Sequence, residues 1–250
     1  MIPDLRSFGI KPVSTPFATT EASINDSGYA TSLANDFQTV YDESAGDTLH
    51  GTGQETFEAL KMVRDLNAHP YTPSNGAMYP KGNFGTAMQQ IAQLIKANVG
   101  LEIAFAETGG WDTHANQGSS TGGLSRSLKD FGQGLAALYY DLGDRMSDVL
   151  VLTMSEFGRT AHQNGTGGTD HGTATCYFAI GGDVRGGKVL GKWPGLAQEQ
   201  LYEGRDLYPT TDFRDVFGEV AARHMGVKDL GAVFPGYANG VEKFRGVVRV

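Results

Sequence analysis

Leu101-Glu102-Ile103-Ala104-Phe105-Ala106-Glu107-Thr108-Gly109-Gly110-Trp111-Asp112-Thr113-His114 is the stretch on which the fold turns. Leu101, Ile103 and Phe105 alternate with Glu102, Ala104 and Ala106, the two-residue period of a strand. The strand runs out into a glycine pair and a polar cluster. Leu124, Leu128, Phe131, Leu135, Leu138 and Leu142 then recur at helical spacing. Val149 to Met154 is continuously apolar, the pattern of a strand buried on both faces, and ends at Ser155-Glu156-Phe157-Gly158-Arg159. Thr175 to Ile180 reads as a third strand, closed by Gly181-Gly182. Strand, long helix, strand is a βαβ unit, which predicts parallel pairing through a right-handed crossover. The expected fold is therefore α/β: a mostly parallel sheet flanked by helices on both faces, in a single domain over residues 1–250. Both polar clusters would then lie at carboxyl ends of neighbouring strands, where open α/β sheets place their ligands.

Outward from this core the patterns weaken. Residues 1–50 are polar and weakly structured or helical, with one helix predicted around Leu33, Phe37, Val40 and Tyr41. Thr52 and Glu55 form a capping box before a helix carrying Phe57, Leu60, Val63 and Leu66. Prolines at 70, 73 and 80 make His69 to Asn83 a loop. A further helix follows, with Phe84, Met88, Ile91 and Ile95 on one face and Gly100 just past its end. After Tyr208 one more helix carries Phe213, Phe217, Val220, Ala221 and His224.

Composition excludes several classes. The 250 residues carry 20 Lys+Arg against 28 Asp+Glu, a formal charge of −8. A general nucleic-acid binder would present a basic face instead. The one cysteine, Cys176, excludes an intrachain disulfide framework and a multi-cysteine zinc site. No apolar run approaches the roughly 18 residues that span a bilayer, and residues 1–16 show no signal-peptide pattern. Glycine is the outlier, at 35 residues, 20 of them between 100 and 195. Such clustering marks tight loops and close backbone approaches.

The chemistry sits in three clusters: Asp112 with His114, Glu156, and Asp170 with His171. Carboxylates and imidazoles converging on one rim are the ligand set of zinc, manganese or iron, whereas magnesium and calcium take oxygens alone. The cofactor expected is a divalent metal, zinc or manganese first. Arg159 has the planar fork that grips a phosphate or sulfate group. Each residue also has a plainer role open to it: Asp112 as turn former, His114 as solvated side chain, Glu156 as ion-pair partner of Arg159. Asn116 and Asn164 are possible donors, and His162 a possible neighbour of the site. His50, His69 and His224 read as ordinary surface or core histidines. Ser155 after a strand suggests a serine hydrolase, but there is no Gly-x-Ser-x-Gly elbow. No Gly-x-Gly-x-x-Gly opens a helix after a strand either, so a dinucleotide site is not expected.

The runs 109–117, 155–160 and 164–172 together resemble a bacterial family, the domain of unknown function numbered 1501. Tyr79-Pro80, the helix Gln90 to Lys96, Gly181-Gly182 and Asp212 to Phe217 extend the resemblance from about residue 55 to the end. Members of that family are placed in the alkaline phosphatase and sulfatase superfamily and are commonly exported, often with a twin-arginine signal. The resemblance thus implies an alkaline-phosphatase-like fold and a periplasmic or otherwise exported location. Asp112 with His114 resembles the superfamily's first ligand pair, Glu156 the aspartate of its second, and His171 its final histidine. Phe157 stands where a histidine is usual, which weakens or removes a second metal site. The superfamily's leading strand, with its nucleophile and first aspartate, is not found in residues 1–50, nor is the family's Gly-Gly-x-Asp-Gly motif. The chain is accordingly expected to be incomplete at its amino terminus.

These readings converge on a metal-dependent hydrolase of small phosphate or sulfate esters. Asp112, His114, Glu156, Asp170 and His171 would hold one or two metals, and Arg159 would stabilise charge on the ester oxygens. The alternative is a non-catalytic, exported binding or scaffold protein that keeps the fold and one metal.

Overall fold

A computed structural model describes residues 7–9, 61–62, 65–66, 68, 70–237 and 240–249. The helices expected around Leu33 to Tyr41 and from Thr52 to Leu66 lie wholly or mostly outside these residues. Among the described residues the elements run β1 (Ser7–Gly9), α1 (Asn83–Ala97), β2 (Ile103–Phe105), α2 (Gly123–Leu142), β3 (Leu150–Leu152), β4 (Gly158–Arg159), β5 (His171–Gly172), β6 (Ala179–Gly181), α3 (Phe213–Arg223) and α4 (Leu230–Val233). Three short 3-10 turns complete the set, at Gly143–Asp148, Gln198–Gln200 and Val241–Lys243. No described helix is long and apolar enough to cross a membrane.

The class is mixed helix and strand. The ladders differ from the expected ones: the described residues form three two-stranded sheets, not one mostly parallel sheet. β2 lies parallel to β1, with Ser7 opposite Ile103. β3 pairs antiparallel with β6, Leu150 opposite Gly181, and β4 antiparallel with β5. The helix expected to carry the crossover, α2, does stand between β2 and β3, but β3 takes β6 as its partner. A parallel return needs a crossover of a dozen or more residues, usually a helix. The chain between β3 and β6 holds only the β4–β5 pair and glycine-rich loops. Glycine also makes the antiparallel approach close: at Gly181 (φ +147°) a Cβ would sit 2.0 Å from the Val149 carbonyl oxygen. With a single partner strand, Leu150, Val151 and Leu152 are half-buried, not sealed on both faces as their run of apolar residues suggests.

The chain divides into two compact units. One contains the described residues up to Thr108 together with Asp130–Leu142; the other contains Gly109–Lys129 and the chain from Gly143 onward. In the first unit the apolar faces of α1 and α2 bury Ala87, Met88, Ile91, Ala92, Leu94, Ala137, Leu138 and Leu142. α1 closes at Asn98, whose left-handed backbone (φ 55°) lets its N–H return to the Ile95 carbonyl. That is two residues before the glycine read as its terminus.

The same unit buries a charge. Asp141, on the last turn of α2, is 1% exposed. Its Oδ2 accepts from Tyr71 Oη at 2.8 Å and Tyr79 Oη at 2.7 Å. Its Oδ1 accepts from the Ser74 backbone N–H at 2.6 Å and from the Lys96 ammonium. The proline-rich loop 70–80 is thereby pinned to both helices. Burial alone would push this carboxyl up, but the hydrogen bonds from Lys96, Tyr79, Ser74 and Tyr71 outweigh it and hold the pKa below the usual range.

The second unit has a thin apolar core of Met146, Val184, Leu201, Val247 and Val248. It is organised around Glu219 of α3, which is fully buried. Its carboxylate accepts from Arg223 at 2.8 Å and from the backbone N–H groups of Arg245, Gly246 and Val248 at 2.7, 2.8 and 3.0 Å. The terminal segment held this way bridges back to 183–185, with Val184 opposite Val248. Residues 183–185 follow β6 after Gly182.

Removing the Asp141 acceptor strands four donors. Asp141→Ala should cost about 3–5 kcal/mol, measured by urea denaturation at neutral pH. The sign with pH follows from the lowered carboxyl. Its stabilisation is complete above the unfolded-state value of about 4 and is lost as pH falls through the folded-state value. The gap between wild type and Asp141→Ala should therefore narrow on acidification below about pH 4.

Candidate functional site

Within the second unit, backbone pairing draws three loops together. β4 and β5 set Arg159 opposite His171, and Thr160 N–H donates to the Asp170 carbonyl at 3.0 Å. The segment after Trp111 docks on the 164–169 loop. Ala115 bridges Gly167; Asn116 and Gln117 donate to the Thr166 and Gly167 carbonyls at 3.0 and 2.9 Å, and Thr169 to the Thr113 carbonyl at 3.2 Å. The docking is closest at Gly168. A Cβ there would lie 2.3 Å from the His114 carbonyl carbon and oxygen and 2.4 Å from the Thr113 oxygen. Only glycine fits without moving backbone.

These pairings bring side chains 59 positions apart onto one atom, Asp112 Oδ1. His171 Nε2 approaches it at 2.8 Å, His114 Nε2 at 2.9 Å, and Arg159 Nη1 donates to it at 2.8 Å. Ligand atoms of Asp112, His114 and His171 all lie within 4.8 Å of one another, and all three residues are exposed. The hydrogen bond with His171, and then that from Arg159, hold the Asp112 carboxyl below the ordinary carboxylate range. The Asp170 carboxyl is lowered by His114 and then by Asn164.

Two supports surround this focus. His114 Nδ1 meets Asp170 Oδ1 at 2.9 Å, and Asn164 Nδ2 donates to the same oxygen at 2.9 Å and to the His114 carbonyl at 2.8 Å. Arg159 is fixed on its other side: Nε donates to Thr169 Oγ1 at 3.1 Å and Nη2 to Thr113 Oγ1 at 3.4 Å. Both hydroxyls donate to Gln117 Oε1 at 2.7 Å. Phe157 lies flat on His171, ring centroids 3.8 Å apart and 11° between planes, with His114 on a 5.0 Å stack with His171.

Of the residues singled out from the sequence, Asp112, His114, Asp170, His171 and Arg159 are brought together. Glu156 is exposed and stands outside the converging group, and the ion-pair partner of Arg159 is Asp112. The cluster rides on the antiparallel β4–β5 pair and its flanking loops, a correction to its expected place at the ends of parallel strands. Ser155 Oγ donates to the Phe157 carbonyl at 2.8 Å. His162 is exposed, and His224 pairs with Asp183 at 2.7 Å. His50 and His69 lie outside the described residues. Gln117, Thr113 and Thr169 were not legible as site residues, because no spacing rule links position 117 to 169. The stacking of Phe157 was hidden for the same reason.

Residues 26–235 match the family described as Protein of unknown function (DUF1501). The chain belongs to this family. The matched stretch begins upstream of the motif-bearing region and contains every residue of the cluster. No curated protein and no solved structure matches the chain. For this DUF1501 protein the chemistry must therefore be argued from the donors themselves. Three acceptor-capable groups around one small exposed space can hold a cation, and the neighbouring guanidinium can hold an anion beside it.

Gly168→Ala tests the docking. The added methyl must separate the 113–117 and 164–169 segments, at a cost of about 1–3 kcal/mol. The denaturation midpoint should fall, and the His114–Asp170 contact should loosen, as read from the histidine ring resonances.

Proposed function

We propose that this protein is a metal-dependent hydrolase of phosphate or sulfate esters working with one divalent cation. The observation that carries the reading is the convergence of His114 Nε2 and His171 Nε2 on Asp112 Oδ1, at 2.9 and 2.8 Å. Metal bonds of about 2.0–2.2 Å to nitrogen and oxygen set neighbouring donors roughly 3 Å apart, so this donor set fits one ion. Two imidazoles with one carboxylate favour zinc or manganese over an all-oxygen ion. When bound, the metal would polarise the ester oxygen and lower the pKa of a water in its shell. Arg159, anchored through Thr169, Thr113 and Gln117, keeps further N–H donors for the equatorial oxygens of the ester. Phe157 holds the His171 ring in plane. Glu156 stays outside this ligand set. Membership in the alkaline phosphatase and sulfatase superfamily, and export with it, belong to the same proposal.

Phe157 favours a second reading. It lies flat on His171 and offers no donor atom to a second cation. A non-catalytic binding protein that keeps one metal would need no second ion.

Metal analysis of the purified protein, with aryl phosphate and aryl sulfate assays, separates the readings. About one zinc or manganese per chain and measurable turnover are expected. His171→Ala should lose the metal, and Arg159→Ala should cut turnover on the order of 100-fold with the metal retained. Tight metal without turnover selects the binding protein, and no metal at all removes both.

A further inference from the structure

We infer that Asp170 is a positioning residue and not a metal ligand: clamped by Asn164, it fixes the His114 ring so that Nε2 faces Asp112 and His171. The inference rests on the metal reading above and deepens it. Asp170 Oδ1 is already occupied, facing His114 Nδ1 at 2.9 Å and accepting from Asn164 Nδ2 at 2.9 Å. Asp170 is also absent from the group whose donor atoms converge. A carboxylate there can only accept, so the proton between the two must sit on Nδ1. With Nδ1 committed to Asp170, a cation can be met only at Nε2, whose proton it would displace and which lies 2.9 Å from Asp112 Oδ1. A metal-bound histidine commonly donates its other N–H to a carboxylate in this way, which raises its basicity and sets its plane.

Asn164 makes the arrangement rigid. Its amide nitrogen reaches both Asp170 Oδ1 and the His114 carbonyl, so the acceptor and the backbone carrying the ring share one donor. Its amide oxygen is held in turn by the N–H groups of Thr166 and Gly168, both at 3.0 Å. Gly168 is the residue pressed against the His114 carbonyl. Ring, carboxylate and both loops therefore move as one body. The ring's position and plane are set before any cation arrives.

Three measurements on the full chain test this: zinc affinity by chelator competition, the cobalt(II) visible spectrum, and the nitrogen and proton resonances of the histidine rings. In the metal-free protein, the Nδ1–H of His114 should show a downfield, slowly exchanging signal that disappears in Asp170→Ala. Asp170→Asn should weaken zinc about 10–100-fold while the cobalt spectrum keeps its shape. Asp112→Asn should change that shape, because it removes a ligand. Asn164→Ser should shift affinity in the same direction as Asp170→Asn, and it stands in should Asp170→Ala fail to fold. A cobalt spectrum altered by Asp170→Asn as by Asp112→Asn would make Asp170 a ligand and overturn the inference. An unchanged zinc affinity would reduce Asp170 to a structural contact and overturn it equally. If the wild type binds neither metal, the hydrolase reading falls by itself. The ring signal then still decides: its loss in Asp170→Ala supports the positioning role, and its persistence refutes it.

Discussion

A carboxylate taken out of water must regain from fixed donors the solvation it gives up, and this protein is built around that demand. Asp141 and Glu219 are both buried, and each draws donors from segments distant in the sequence. Tyr71, Ser74, Tyr79 and Lys96 close on Asp141. Arg223 and the backbone N–H groups of Arg245, Gly246 and Val248 close on Glu219. Asp215 is treated alike, with Tyr237 and Arg245 on its two oxygens. The apolar cores of the two units are small, so these networks supply much of the specificity with which loops meet helices.

The carboxylates of the candidate site answer the opposite condition. Asp112 and Asp170 are more than half exposed, at 57% and 53% of their side chains. Their partners are histidines, an arginine and an amide, gathered at an open surface. An exposed carboxylate loses little by exchanging a protein donor for a cation, whereas a buried one loses its fold. The same residue type thus builds the scaffold when sealed by donors and can bind a ligand when left at the rim. Gly158, Gly168 and Gly172 belong to this division, since they let backbone approach backbone where a side chain would hold the rim open.

The helices were legible because period alone defines them. The apolar positions of α1 and α2 face inward much as their spacing indicates, although Leu128 stays 49% exposed where a continuous stripe suggested burial. The strands were legible as elements but not as partners. An apolar run such as 149–154 does not say which strand it will meet, and it pairs with β6 although the expected crossover helix follows β2. At the site, residue types and motif clustering pointed to Asp112, His114, Asp170, His171 and Arg159. The same evidence also pointed to Glu156, which the chain leaves outside the group.

Sequence alone determined the family, the helical periodicity and the chemical character of the cluster, because those reside in residue type and in near-neighbour spacing. Tertiary structure alone decided strand direction, the division into two units, the joining of residues 112 and 171 at one oxygen, and the place of Asp170 behind His114. Each of these depends on backbone hydrogen bonds and close approaches between distant segments, whose geometry no local pattern of side chains encodes.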